Sequence, residues 1–143
     1  MGLMIGLGMI VLGAAACSQS GTGSRMGAMM GAGTALTGAQ EVPVVNTQAT
    51  GVSSIIVSGD KNISGDVRTT NLNGTAAHIH QGAMGQNGPV IIPLAKTADG
   101  IWTVPANTIL TSAQFDAYRA GDLYVNVHSA ANPGGEIRAQ IKP

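Results

Sequence analysis

Cysteine is nearly missing from these 143 residues: Cys17 stands alone. A single thiol excludes an intramolecular disulfide, and with it any redox or zinc site built on paired cysteines. Stability therefore comes from packing, with or without a metal. Aromatic residues are scarce too, at one Trp, two Tyr and one Phe. Charge is thin: 10% of residues are charged, seven basic residues balance seven acidic ones, and no basic run occurs. Phosphate backbones are held by clustered Lys and Arg, so no nucleic-acid partner is expected. A Ser-His-Asp set, a Walker loop and a dinucleotide fingerprint are also missing. These absences put an enzyme behind a binding module among the readings.

Glycine, by contrast, is abundant at 21 residues. The N-terminus is distinctive. Residues 1–16 carry no charge and are almost wholly apolar or glycine, closing on Gly13-Ala14-Ala15-Ala16-Cys17. An apolar core followed by small residues is the pattern of an export signal. Cys after Ala-Ala resembles a bacterial lipobox, whose Cys is diacylated and becomes the first mature residue. The resemblance implies a lipoprotein signal peptide over 1–16, lipidation at Cys17 and membrane attachment through that lipid. The domain would then be extracytoplasmic, in the periplasm or on the outer surface. A membrane span is the weaker reading: the run is short for a bilayer, and its glycines disfavour a stable helix. Residues 17–33, rich in Gly, Ser and Met, read as a flexible tether. Residues 34–143 read as one folded domain.

Within that domain, short runs of strand character alternate with turn chemistry. Strands are expected over 34–44, 50–58, 63–70, 75–81, 90–94, 100–104, 122–129 and 136–141. Gly59-Asp60, residues 71–74, residues 82–89 and Asn132-Pro133-Gly134-Gly135 separate several of them. This spacing predicts an all-β antiparallel sandwich. One short helix interrupts it. Thr111 followed by Gln114 has capping-box form, and Gly121 supplies the stop. Trp102 is expected in the core with its N–H on a carbonyl. Residues 40–45, which contain Pro43, are expected at a sheet edge.

The last two strands alternate cleanly. Leu123, Val125 and Val127 point to the core, and Tyr124, Asn126 and His128 to the opposite side. Ile137, Ala139 and Ile141 oppose Glu136, Arg138 and Gln140 in the same way. Closed as a hairpin by residues 130–135, the pair brings His128 near Glu136, while Arg138 would pair with Glu136 or Asp122. The chain has only three histidines: His78, His80 and His128. His78 and His80 lie two apart on a strand and so share a face. If the strands are neighbours, the three imidazoles converge. Three neutral imidazoles suit one Cu or Zn ion and leave a coordination position open. Met84 and Glu136 are candidates for that position, and Glu136 could instead orient His128.

Several of these motifs resemble the CHRD domain, the repeat named after chordin. They are Leu36-Thr37-Gly38-Ala39-Gln40-Glu41-Val42-Pro43, Ala76-Ala77-His78-Ile79-His80-Gln81-Gly82 and Gly85-Gln86-Asn87-Gly88-Pro89-Val90. Two more are Tyr124-Val125-Asn126-Val127-His128-Ser129 and Asn132-Pro133-Gly134-Gly135-Glu136-Ile137-Arg138. The resemblance covers residues 34–143 and implies an immunoglobulin-like antiparallel sandwich with Greek-key connections. Chordin itself binds signalling ligands outside cells, which implies a second reading: a module that binds a protein or glycan. The His-x-His strand is also similar to the copper-binding strand of Cu/Zn superoxide dismutase. That likeness implies a third reading, a copper-dependent oxidoreductase.

Overall fold

The computed structural model describes residue 2 and residues 33–143. The signal peptide, tether and lipidation site expected over residues 1–33 lie outside the described residues, apart from Gly2 and Gly33. Eleven strands follow: β1 (Thr34–Thr37), β2 (Thr50–Ser53), β3 (Ile56–Val57), β4 (Ile63–Ser64), β5 (Asp66–Thr70), β6 (Gly74–Gln81), β7 (Val90–Pro93), β8 (Ala95–Ala98), β9 (Ile101–Thr103), β10 (Leu123–Ser129) and β11 (Ile137–Ile141). Among the described residues one α-helix, α1 (Ser112–Ala120), joins β9 to β10. The domain is antiparallel and mostly β, as its turn spacing predicts. Among the described residues no helix is long and apolar enough to cross a membrane.

Nine strands form one sheet, in the order β7-β6-β10-β11-β1-β2-β5-β9-β8. The two ends of that order are consecutive in sequence. β7 pairs with β6, β8 pairs with β9, and only Leu94 separates them. The chain thus crosses from one end of the sheet to the other at one residue, where the Leu94 N–H donates to the Ala77 carbonyl at 2.9 Å. A sheet whose ends meet in this way must curl over its own apolar face, giving a sandwich closed at one corner by a strand that changes partners. Leu36, Val67, Ile79, Trp102, Val125 and Ile137 fill the space inside.

The capping box of α1 forms on both sides: the Gln114 N–H donates to Thr111 Oγ1, and the Thr111 N–H donates to Gln114 Oε1. Gly121 closes the helix in the left-handed conformation, with φ 81°. Phe115 and Tyr118 pack on the core from this helix.

Several expectations are corrected. The strand expected over 63–70 is divided at Gly65, whose φ of 117° no side-chain-bearing residue adopts readily, and β8 forms where no strand is expected. Trp102 is buried but its N–H has no partner, because the ring packs against Gly74 and the apolar interior instead. β1 is an interior strand, and residues 40–45 lie across the sheet face rather than at an edge: the Asn87 side-chain amide donates to the Val42 carbonyl at 2.7 Å. Finally, β10 and β11 are buried on both faces. Residues 38–47, 82–89 and 130–135 cover the side opposite the apolar core. The polar half of each alternating pattern faces a second, polar interior instead of water.

Candidate metal centre

β6 and β10 are neighbours, with His78 opposite Asn126 and His80 opposite Tyr124. His128 stands further along β10 on the same side. This register, set by the alternation of Ile79, Val125 and Val127 into the core, brings the three histidines together. One nitrogen from each lies within 4.8 Å of the others. His78 Nδ1 and His128 Nε2 are 2.9 Å apart.

The tautomers follow from the surroundings. His80 Nδ1 lies 2.9 Å from the Gly88 carbonyl, and His128 Nδ1 lies 2.9 Å from the Pro133 carbonyl. A carbonyl only accepts, so each neutral ring carries its proton on Nδ1 and leaves Nε2 bare. His78 then donates from Nδ1 to His128 Nε2. The lone pair on His80 Nε2 is buried and has no partner. Burial, and then the neighbouring imidazoles, hold His78 below the usual histidine range. Burial also lowers His80, against the raising effect of its bond to Gly88. Neutral, ligand-ready rings result.

The donor set fits a borderline metal. Zinc binds imidazole nitrogen at about 2.0–2.1 Å, which spaces tetrahedral ligand nitrogens about 3.3 Å apart. With one pair of nitrogens 2.9 Å apart and all three within 4.8 Å, small side-chain shifts would bring the cluster to that spacing. Bound there, such an ion would be held by His78, His80 and His128, whose backbone-anchored Nδ1 atoms fix two of the three rings.

Glu136 and Met84 stand differently from their expected places. Glu136 accepts from Thr47 Oγ1 at 2.6 Å and from the Ser129 hydroxyl, so its carboxylate does not orient His128. Burial alone would raise its pKa, but hydrogen bonds from Ser129, Thr47 and Asn132 together hold it below the ordinary value. Met84 is exposed and lines a depression with Val44, Arg138 and Gln140, a set that contains none of the histidines.

Arg138 pairs with neither Glu136 nor Asp122. It is 1% exposed, and it donates to the Gln86 carbonyl at 2.8 Å, the Ala83 carbonyl at 3.3 Å and Asn87 Oδ1 at 3.3 Å. Its guanidinium lies 3.4 Å from the Tyr124 ring centre, and the other partner of that ring is His80, stacked at 4.7 Å and 7°. Glu41 is the acid that sequence reasoning missed as a polar-interior residue. Burial pushes its carboxyl up to about 7, against the lowering effect of Arg138 and of the Asn126 amide. Its only signal in the sequence is position, in the stretch before Pro43.

The CHRD domain family model matches residues 32–141. The chain belongs to the CHRD domain family. No curated protein and no solved structure matches it. Within this CHRD domain, the His-x-His strand and the histidine near the end of β10 meet at one place.

Proposed function

We propose that this CHRD-domain chain is an exported, lipid-anchored protein that binds one copper or zinc ion through His78, His80 and His128. The observation that carries the reading is the buried, unpartnered Nε2 of His80 beside two further imidazoles. A buried acceptor without a donor is costly and calls for an ion or a water. A purely structural histidine cluster explains the His78–His128 bond but not this third lone pair. The signal-like run before Cys17 supports export and anchoring.

Metal content and Cu(II) and Zn(II) titration test the site, with wild type beside a His78→Ala/His80→Ala variant. One-to-one binding in wild type and none in the variant is the expected result. Equal uptake by both would sink the reading. Anchoring is checked separately: Cys17→Ser should abolish incorporation of labelled fatty acid and release the protein from membranes.

A second reading, docking of a protein or glycan, is favoured by one feature. Val44 and Met84, each 70% exposed, flank a depression of about 330 Å³ with buried Arg138 at its base. Mutating both to Ser and measuring retention on candidate ligands tests it.

A further inference from the structure

The polar interior raises a question about Arg138. A fully buried guanidinium without a carboxylate inside ion-pair distance is expensive, and such a group is kept where its geometry is needed. Three of its contacts fall on one short segment, residues 82–89. Its Nη atoms donate to the carbonyls of Ala83 and Gln86 and to the side-chain oxygen of Asn87. The segment is tied at its base, where the Gln81 N–H donates to the Pro89 carbonyl and the Gly82 N–H to the Asp122 carbonyl. Between these ties lies Gly88.

Gly88 is the contact with the metal centre. Its carbonyl accepts from His80 Nδ1 at 2.9 Å, and its N–H donates to the Tyr124 hydroxyl at 3.1 Å. A Cβ at this position would stand 1.6 Å from the Gln81 carbonyl oxygen, so only glycine lets this peptide approach so closely. Tyr124 in turn lies between His80 and Arg138, contacting one by ring stacking and the other by cation–π attraction. Two independent routes thus lead from the guanidinium to the same imidazole. One runs through the loop to Gly88, and the other runs through the Tyr124 ring.

We propose that Arg138 is a positioning residue for the metal centre: it holds residues 82–89 so that the Gly88 carbonyl fixes His80 with its proton on Nδ1 and its Nε2 bare. It does not touch the ion. The inference rests on the three-histidine reading for its consequence, but its structural content is the tautomer of one ring in the metal-free protein. Arg fits this task and Lys does not. A planar fork reaches three separate oxygens at once while lying flat on a ring, whereas an ammonium offers a point charge.

The test is two measurements on the full chain. Long-range proton–nitrogen NMR of the metal-free protein reads the tautomer of His80. Zn(II) titration with a competing chelator reads affinity. Wild type should show His80 protonated on Nδ1. Arg138→Gln should give mixed tautomers at His80 and a 10- to 100-fold loss of Zn(II) affinity, the range seen when groups orienting a ligand are removed. Arg138→Lys should fail to rescue either readout. Should the Arg138 variants not fold, Asn87→Ala and Tyr124→Phe take their place. Asn87 is an exposed side chain, and Phe keeps the stack while removing the hydroxyl. Each should mix the His80 tautomers and weaken Zn(II) several-fold. Wild-type His80 protonated on Nε2, or folded variants with the wild-type tautomer and affinity, would overturn the proposal. A wild type with the expected tautomer that binds no metal would leave the positioning intact and refute the metal reading alone.

Discussion

Replacing Glu41 by Gln should flatten one part of the protein's pH dependence. The Glu41 carboxyl is 4% exposed, its Oε1 has no hydrogen-bond partner, and burial lifts its pKa from 4.5 to about 7. An acid whose folded value lies above its unfolded value keeps its proton longer when folded. Its stabilising contribution is therefore complete below pH 4.5 and is lost as pH rises through 7. At about 1.4 kcal/mol per pH unit, the interval is worth at most about 3 kcal/mol. Arg138 already offsets part of the cost of ionisation, and the value of about 7 includes it. Histidines 78 and 80 act with the opposite sign. Their lowered folded values give stability that is present above pH 6.5 and lost as pH falls. Taking wild type minus variant cancels them. Urea unfolding at half-unit steps from pH 4.5 to 8 is the assay. Glu41→Gln should gain up to about 3 kcal/mol on wild type across that range, most of it between pH 5 and 7.5. Parallel curves, within about 0.5 kcal/mol throughout, would refute the reasoning and mean that Glu41 stays ionised by a partner or a water.

Two more outcomes are expected. Zn(II) affinity should stay level from pH 8 to about 6.5 and fall below that, because burial keeps His78 and His80 unprotonated past their ordinary range; a decline already under way between pH 8 and 7, in a competition titration, counts against neutral ligands. Ile79→Ala removes a side chain that is 0% exposed between the two site histidines, and it should cost about 2–5 kcal/mol in denaturant unfolding. A loss under 1 kcal/mol would show that the strand relaxes around the cavity.

Period-two alternation carried most of what the chain disclosed in advance. It set Ile79 inward with His78 and His80 opposite, and it separated Val125 and Val127 from Asn126 and His128, so the facing of these residues and the hairpin of β10 and β11 were readable, whereas the pairing of β6 with β10 was not. The capping box at Thr111 was readable for the same reason: its chemistry is local. What stayed hidden depends on contacts distant in sequence. The cover made by residues 38–47 has no periodicity, and one of its ties to the rest is a bond between Asn87 and Val42. Without that cover, the polar side of β10 and β11 looks solvated, and Glu136 looks free to meet His128. The cover supplies Thr47, which captures Glu136 instead. Arg138 misled likewise: alternation gave its side but not the carbonyls of residues 83 and 86, which only a folded loop presents. β8 escaped notice because its four residues are all exposed and form no apolar face.

The crossing at Leu94 has a consequence for how copies of this domain meet one another. An open nine-stranded sheet would expose two long rows of unpaired amides, each a template on which another chain can add a strand. Here both borders come from one stretch of eight strand residues, four on either side of Leu94. One border includes Pro93, which has no amide hydrogen to offer, and the other includes Lys96, whose charge resists a flat neighbour. The two borders of this sheet therefore offer little for strand-on-strand growth.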